Sequence, residues 1–189
     1  KIRGPAYPII TPLKEDGLID FKSLKDYTKF LCDNGAKIIY IMAHSSRLGL
    51  LSLDEIVDLN KTVCSFVNKY YKDVITIAAT PMYRSTDSCK YVAKQAELSG
   101  ADLVSVIFNE RYYFDEQIYD FFSSIANYIS CGVLIHEEQL NTIYGTKKIN
   151  WPLDLLEKVI NIDNVIALKE DAKDDGFTEE IINRFSNDV

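Results

Sequence analysis

Short apolar stretches alternate with longer amphipathic stretches six times along the chain, and this alternation limits the folds that the chain can adopt. The apolar stretches have the length expected of buried strands. We predict strands at Tyr7–Ile10, Ile38–Ala43, Val74–Ala79, Leu103–Phe108, Val133–His136 and Val165–Lys169. Because a helix rather than another strand follows each of them, the pattern predicts a parallel sheet covered by helices.

Capping signals delimit the predicted helices. Asp20 is placed to cap a helix from Phe21 to about Asn34, and Gly35 is placed to end it. Ser52 and Glu55 have the spacing of a capping box before a long helix. Further helices are expected to begin at Ser85 or Thr86, at Glu116, with Pro152 in the first turn, and at Thr178.

Two α/β architectures fit this order of elements: an open doubly wound sheet and a (β/α)8 TIM barrel. No G-x-G-x-x-G sequence follows a predicted strand, which argues against the open sheet. A complete barrel typically has about 250 residues, whereas this chain has 189. We therefore expect a single (β/α)8-barrel catalytic domain over residues 1–189, truncated after about six βα units, with the C-terminal strands and helices missing.

Composition and charge exclude several classes of partner. Hydrophobic residues make up 47% of the chain and charged residues 26%, as in an ordinary globular protein. The net charge of -7 and the lack of a dense Lys/Arg run argue against binding to nucleic acid or to an anionic membrane. The chain has no apolar run of membrane-spanning length and no signal-peptide pattern. Its four cysteines have neither C-x-x-C nor metal-ligand spacing, so we expect reduced thiols and a cytoplasmic protein.

The sixth predicted strand ends in a lysine. Side chains alternate between the faces of a strand, so Val165, Ala167 and Lys169 are expected on one face. An ammonium group is costly there unless it has a partner or loses its proton. An uncharged lysine amine is a nucleophile towards carbonyl carbon. Taken alone, however, a strand-end lysine more often reaches solvent along its stem or pairs with an acid.

Both histidines of the chain lie at the carboxyl ends of predicted strands: His44 directly follows the second strand, and His136 is the last residue of the fifth. The carboxyl ends of barrel strands meet at one rim, so both are expected near Lys169. Imidazole is well suited to proton transfer near neutral pH. A metal-dependent aldolase using His136, Glu137, Glu138 and His44 is an alternative, but neighbouring strand residues point to opposite faces and the lysine would be redundant. We therefore expect no metal.

Several segments, collinear along the chain, resemble the dihydrodipicolinate synthase / N-acetylneuraminate lyase family of Schiff-base-forming (β/α)8 barrels. They are Thr11–Asp20, Leu51–Glu55, Ser85–Thr86, Ala96–Asp102 and Val165–Glu170. Members of this family bind a 2-oxo acid, often pyruvate, as an imine on the lysine of strand six, which corresponds to Lys169. The resemblance implies a class I aldolase or lyase that needs no cofactor, takes an aldehyde or sugar substrate, and forms a homo-oligomer, either a dimer or a tetramer.

The resemblance also implies catalytic residues, some of which differ from the family pattern. Where the family has Gly-Thr-Thr-Gly-Glu after strand two, residues 43–47 of this chain read AHSSR. Ser45 keeps the hydroxyl group that binds the oxo-acid carboxylate, and His44 replaces a threonine of the proton relay. His136 replaces the tyrosine that shuttles protons after strand five. The implied catalytic residues are therefore Lys169, His136 and His44.

The remaining substrate contacts implied by the resemblance are Ser46, Arg47, Asn141, Thr142 and Tyr113. Arg47 replaces a glutamate and can hold a second carboxylate or a phosphate, although an exposed loop arginine is an equally good interpretation. Asn141 replaces an arginine that binds substrate in dihydrodipicolinate synthases, which argues against that reaction, while Thr142 is retained. Tyr113 lies about two residues from a family tyrosine, in a loop of altered length.

Two functions follow from these differences. One is an active lyase or aldolase in which imidazole moves the protons. The other is a catalytically inactive or regulatory barrel that binds an oxo acid or a sugar. We favour the active enzyme, because the chain's two histidines occupy both relay positions and imidazole suits proton transfer better than a phenol with a pKa near 10.

Overall fold

The computed structural model describes residues 4–41, 46–108, 110–142 and 148–186, which form nine strands and six α-helices. The strands are β1 (Tyr7–Pro8), β2 (Ile38–Tyr40), β3 (Ile75–Ala79), β4 (Leu103–Ile107), β5 (Arg111–Tyr112), β6 (Gly132–Glu137), β7 (Leu140–Thr142), β8 (Lys148–Ile149) and β9 (Val165–Glu170). The helices are α1 (Phe21–Asp33), α2 (Leu53–Tyr70), α3 (Thr86–Leu98), α4 (Asp115–Ala126), α5 (Leu153–Ile160) and α6 (Asp175–Phe185).

The main sheet has six parallel strands in the order β1-β2-β3-β4-β6-β9, which is their order along the chain. A doubly wound sheet reverses its strand order at a switch point, and this sheet has no such reversal among the described strands. The alternative of an open doubly wound sheet is therefore wrong. The sequential order is that of a (β/α)8 barrel over its first six strands, which confirms the predicted fold class.

A hydrogen bond across the sheet shows that the sheet is strongly curved. Tyr40 lies on β2 and His136 on β6, three strands apart in the sheet order. Three strand spacings in a flat sheet amount to about 14 Å, with side chains pointing in parallel. The Tyr40 hydroxyl nevertheless lies 3.1 Å from Nδ1 of His136. The sheet therefore curls as the wall of a barrel does, and its concave face is the barrel interior.

The predicted helix caps form. The Asp20 carboxylate accepts hydrogen bonds from the backbone N–H groups of Lys22 and Ser23 at the start of α1. Gly35 follows the end of α1 with a φ of 95°, a conformation that favours glycine. Ser52 and Glu55 form the complete capping box of α2, and Ser85 rather than Thr86 caps α3.

Helix α6 begins three residues earlier than predicted. Its N-terminal cap is Asp174, whose carboxylate accepts the backbone N–H of Phe177, so the helix starts at Asp175 rather than at Thr178. A carboxylate cap of this kind satisfies an N–H group that has no partner within the helix.

A second, three-stranded sheet was not predicted. β5 pairs with β7 in parallel, and β7 pairs with β8 in an antiparallel manner. The expectation that no strand directly follows another is therefore wrong, because β7 and β8 come immediately after β6. Each of the three strands has only two or three residues, too few for a sequence periodicity.

Two hydrophobic layers surround the main sheet. The larger layer lies between the sheet and all six helices. The smaller layer lines the concave face and contains Ile38, Tyr40, Ile77, Leu103 and Leu134. Among the described residues, no helix combines the length and the apolar character needed to cross a membrane.

The register of β9 corrects the expectation for Val165. A β-bulge shifts the pairing with β6, so that Val133 faces Val165 but Leu134 faces Ala167. Val165 consequently packs in the helix-side layer, whereas Ala167 packs in the concave layer. The prediction that Val165 shares a face with Ala167 and Lys169 is wrong, while Ala167 and Lys169 do lie on the same face.

Candidate active site

The centre of the site is a lysine–histidine pair on neighbouring strands. The parallel register of β6 and β9 places Lys169 directly beside His136. Nζ of Lys169 lies 2.5 Å from Nε2 of His136 and 3.1 Å from Oδ2 of Asp171. The His136 side chain is 0% exposed, whereas the Lys169 side chain is 35% exposed. An amine that solvent can reach is thus in contact with a buried imidazole.

Two hydroxyl groups lie behind the imidazole. The Tyr40 hydroxyl contacts Nδ1 of His136 at 3.1 Å and Oγ of Ser105 at 2.8 Å. Both hydroxyl-bearing residues are buried. Burial raises the pKa of the Tyr40 phenol to about 12, helped by the Glu138 and Asp171 carboxylates and opposed by the hydrogen bond with Ser105. Tyr40 therefore stays a neutral phenol at physiological pH.

Two carboxylates face the exposed side of the pair. Nε2 of His136 lies 3.6 Å from Oδ2 of Asp171 and 3.8 Å from Oε1 of Glu138. Burial alone would raise the pKa of Asp171, but the hydrogen bonds and charges of Lys169 and His136 outweigh burial and hold that pKa below its ordinary value. Asp171 is therefore ionised at neutral pH and balances the positive charge of the lysine.

The carboxylates and the imidazole also form a possible cation-binding group. One ligand atom each from His136, Glu138 and Asp171 lies within 4.8 Å of the others. Nζ of Lys169 already lies within hydrogen-bonding distance of two of these residues. A divalent ion would have to displace the lysine ammonium, so the arrangement suits a lysine nucleophile better than a metal ion.

Glu137 lies beside the pair but does not contribute to it. Its Oε2 accepts the backbone N–H of Asp171 at 3.4 Å, while its buried Oε1 has no hydrogen-bond partner in the described part of the chain. Burial raises the pKa of Glu137 to about 7, and the Glu170, Asp171 and Glu138 carboxylates add to the effect. The metal-ligand role considered for Glu137 has no support, because its carboxylate is not part of the His136 group.

An open cleft lies next to two of the carboxylates that surround the pair. It has a volume of about 410 Å³ and is lined by Glu138, Gln139, Lys148, Asp171, Lys173 and Asp174, among others. Asp171 and Glu138 belong both to this cleft and to the surroundings of His136. The cleft therefore lies beside Asp171, a hydrogen-bond partner of Lys169.

The structure describes only two of the four predicted site residues that follow β2. His44 and Ser45 lie outside the described residues. Ser46 is buried, and its hydroxyl group donates to the carbonyl oxygen of Ile9, while its own carbonyl oxygen accepts from the Thr11 hydroxyl at 2.8 Å. Arg47 is exposed and has a φ of 62°, in the left-handed region. These contacts tie the loop after β2 to the end of β1.

The other predicted substrate contacts lie on or beside the small sheet. Asn141 is exposed on β7, opposite Arg111 of β5 and Lys148 of β8. Thr142 is half-buried at the end of β7. Tyr113 is 53% exposed and lines a different pocket, of about 930 Å³, at the ends of β3 and β4. The substrate-binding roles of these residues remain predictions.

Tyr40, Ser105 and Asp171 were not predicted as site residues. A signal for the first two is present in the sequence: each places a hydroxyl group inside an apolar strand, where a polar side chain needs a partner. Asp171 follows Lys169 by two residues, the spacing at which side chains return to the same face of a strand.

Comparison with known proteins gives consistent matches. The model of the Dihydrodipicolinate synthetase family matches residues 1–189. The 4-hydroxy-tetrahydrodipicolinate synthase of Ruthia magnifica subsp. Calyptogena magnifica is 26% identical over 190 residues, covering 99% of this chain and 60% of that protein. The 2-dehydro-3-deoxy-phosphogluconate/2-dehydro-3-deoxy-6-phosphogalactonate aldolase of Sulfurisphaera tokodaii is 26% identical over 141 residues, covering 72% of this chain and 46% of that protein.

A solved structure shares the fold as well. The crystal structure of a dihydrodipicolinate synthase from Bacillus anthracis superposes with a TM-score of 0.81 at 26% identity, covering 97% of this chain and 60% of that chain. The chain thus spans about 60% of the length of the synthases that it matches. Because the family model covers the chain from its first residue to its last, this protein belongs to the dihydrodipicolinate synthetase family.

Proposed function

We propose that the protein is a class I aldolase or lyase in which Lys169 forms an imine with a 2-oxo acid such as pyruvate. The observation that carries the proposal is the 2.5 Å contact between Nζ of Lys169 and Nε2 of His136 at the carboxyl ends of two parallel strands. Active sites of (β/α)8 barrels lie at these strand ends. Relatives with a synthase name and an aldolase name support the same class of reaction.

The pair provides the groups that imine formation requires. The uncharged Nζ adds to the keto carbon, and the resulting carbinolamine loses its hydroxyl group as water. Before addition, Nε2 of His136 accepts one proton from the Lys169 ammonium; the alkoxide formed by addition takes a second proton from the nitrogen, and the imidazolium returns its proton to the departing hydroxyl group. The product iminium withdraws electrons from the neighbouring carbon–carbon bond, which can then be broken or formed.

We place the second part of the substrate, an aldehyde or the tail of a sugar acid, in the cleft beside Asp171. The cleft contains both Lys148 and Lys173 as well as acidic groups, so it suits a polar, hydroxylated molecule. Ser45, Ser46, Arg47, Asn141, Thr142 and Tyr113 are kept as proposed substrate contacts, and His44 as a proposed second proton carrier.

Borohydride trapping tests the proposal. The complete protein is incubated with pyruvate and other 2-oxo acids in the presence of sodium borohydride, which reduces an imine to a stable amine. We expect the reduced adduct on the peptide that contains Lys169 and no adduct on the Lys169→Met variant. Lys72→Met removes an exposed lysine just after α2, outside the cleft, and serves as the matched control, which we expect to be labelled like the wild type.

The outcomes separate the two candidate functions. If none of the 2-oxo acids forms an adduct on Lys169, the aldolase proposal is wrong. Calorimetric binding of an oxo acid or a sugar without an adduct would instead favour the non-catalytic, regulatory barrel.

Three broader proposals accompany this function. We expect a homo-oligomer, a dimer or a tetramer, which sedimentation of the complete protein would reveal. We keep the cytoplasm as the proposed location, in agreement with cysteines that are free throughout the described residues. We also keep a single catalytic domain that requires no cofactor.

A further inference from the structure

A buried line of polar atoms runs inward from the catalytic pair. It connects Nζ of Lys169, the two ring nitrogens of His136, the Tyr40 hydroxyl and the Ser105 hydroxyl, with successive separations of 2.5, 3.1 and 2.8 Å. The four residues come from four different strands. His136 is fully buried, and only 5% of Tyr40 and 1% of Ser105 are exposed. Burial makes each donor and each acceptor in this line costly to leave without a partner.

A lysine ammonium next to Nε2 of His136 favours one direction for these hydrogen bonds. A lysine ammonium has three donors and no acceptor, so Nε2 of His136 must accept from Lys169. A neutral imidazole carries its proton on the other nitrogen, so Nδ1–H donates to the Tyr40 oxygen. With the Tyr40 oxygen accepting from Nδ1–H, its own proton can be donated to Oγ of Ser105, which lies 2.8 Å away. This set of roles is mutually consistent at every contact in the line.

Ser105 has a specific place in this arrangement. A phenol can also donate to Nδ1, which would move the ring proton to Nε2 and turn the wrong side of the imidazole towards Lys169. Ser105 accepts a hydrogen bond from the Tyr40 O–H group and so keeps the Tyr40 oxygen available as an acceptor. The high pKa of Tyr40, which burial causes, keeps that proton on the phenol.

We propose that Tyr40 and Ser105 are positioning residues that hold His136 in the tautomer protonated on Nδ1, with the Nε2 lone pair facing Lys169. Neither residue touches the reacting atoms; both act through the imidazole. The role of this tautomer in catalysis rests on the proposed function. The assignment of the tautomer rests only on the contacts of His136.

Nitrogen-15 NMR of the histidine rings tests the tautomer directly. The chain has two histidines, so a protein labelled on histidine gives few ring signals, and His136→Gln assigns those of His136. A pH series identifies the neutral form. In the wild type we expect neutral His136 to carry its proton on Nδ1. In Tyr40→Phe and in Ser105→Ala we expect a large fraction of neutral His136 to be the tautomer protonated on Nε2.

Matched variants separate positioning from simple packing. Ser105→Thr keeps the hydroxyl group and should retain the wild-type tautomer. Tyr71→Phe removes a phenol hydroxyl that bonds Asp33 on the surface, and it should leave the His136 signals unchanged. A wild-type His136 protonated on Nε2, or an unchanged tautomer in both Tyr40→Phe and Ser105→Ala, would overturn the proposal. If Tyr40→Phe does not fold, the comparison of the His136 tautomer in Ser105→Ala with that in Ser105→Thr still tests the proposal.

The rate of borohydride trapping gives a second readout. In the serine protease triad, fixing the wrong histidine tautomer costs up to about 10⁴-fold in rate. We expect trapping at Lys169 to slow by about tenfold or more in Tyr40→Phe and Ser105→Ala, with Ser105→Thr close to the wild type. Absence of trapping in the wild type would refute the proposed function and leave the NMR result to decide on the tautomer. A changed tautomer with an unchanged trapping rate would refute the positioning role.

Discussion

At the scale of single residues, His136 is the side chain on which the candidate chemistry depends most. It contacts the lysine through Nε2, lies near two carboxylates, and is held from behind by a phenol. General acid–base catalysis by a positioned side chain typically contributes about 10²–10⁴-fold to a rate. A glutamine in its place can form hydrogen bonds but cannot carry a proton.

We therefore expect His136→Gln to slow borohydride trapping of pyruvate at Lys169 by about 10²–10⁴-fold. The trapping rate is measured under single-turnover conditions from pH 6 to pH 9, with circular dichroism to confirm that the variant is folded. Hydroxide in the solvent can partly replace the imidazole as a base. The difference in trapping rate between His136→Gln and the wild type should therefore shrink as the pH rises. A folded variant that is trapped as fast as the wild type would exclude His136 as the proton carrier.

The residues of the pair could be predicted from the sequence, but the groups that support them could not. Lys169 and His136 each lie at the carboxyl end of an apolar strand, and parallel strands bring their carboxyl ends to one edge. The contact of Tyr40 with His136 depends on how far the sheet curls, which local sequence does not encode. The roles of His44 and Ser45 are still predictions, because these residues lie outside the described part of the chain.

At the scale of elements, the strands and helices that could be predicted are those with a strong local signal. The capping box of α2 is the clearest case: the Ser52 hydroxyl accepts the Glu55 N–H at 3.2 Å, and the Glu55 carboxylate accepts the Ser52 N–H at 2.8 Å. The strands of the small sheet and the bulge in β9 could not be predicted, because both arise from pairing between distant segments.

We expect Ser52→Ala to lower the free energy of unfolding by about 1 kcal/mol, since an N–H group at the start of α2 loses its acceptor. Equilibrium unfolding in urea measures the change. Ser65→Ala is the matched control, because it makes the same substitution at an exposed position within α2, where alanine favours the helix. A loss of equal size in both variants would show that the cap is not responsible.

At the scale of the whole molecule, the curled sheet separates two environments for charge. On its concave face, Lys169, His136 and Asp171 balance one another beside an open cleft. Glu137 lies next to His136 in the chain, but its carboxylate is buried apart from that group and lies among other carboxylates. The sequence pattern predicts the alternation of faces along β6, but the burial of Glu137 follows from packing of the complete layer.

Glu137 should therefore make the stability of the fold depend on pH. Its pKa is about 7 in the folded protein, above the ordinary value of a glutamate, so the folded state binds the proton more tightly than the unfolded state does. The contribution of Glu137 to stability is then complete at pH values below the unfolded pKa. It decreases as the pH rises towards the folded pKa, and the loss is complete above about pH 7.

Glu137→Gln should remove this dependence, because glutamine stays neutral and its amide can donate to a neighbouring carboxylate. Relative to the wild type, we expect the variant to gain on the order of 2 kcal/mol in unfolding free energy between pH 5 and pH 8. Urea unfolding of both proteins at the two pH values measures this difference. Glu180→Gln, at an exposed position on α6, should show no comparable gain. If the wild type and Glu137→Gln lose or gain stability in parallel across this range, the carboxyl group of Glu137 is ionised at neutral pH and must have a partner within the fold.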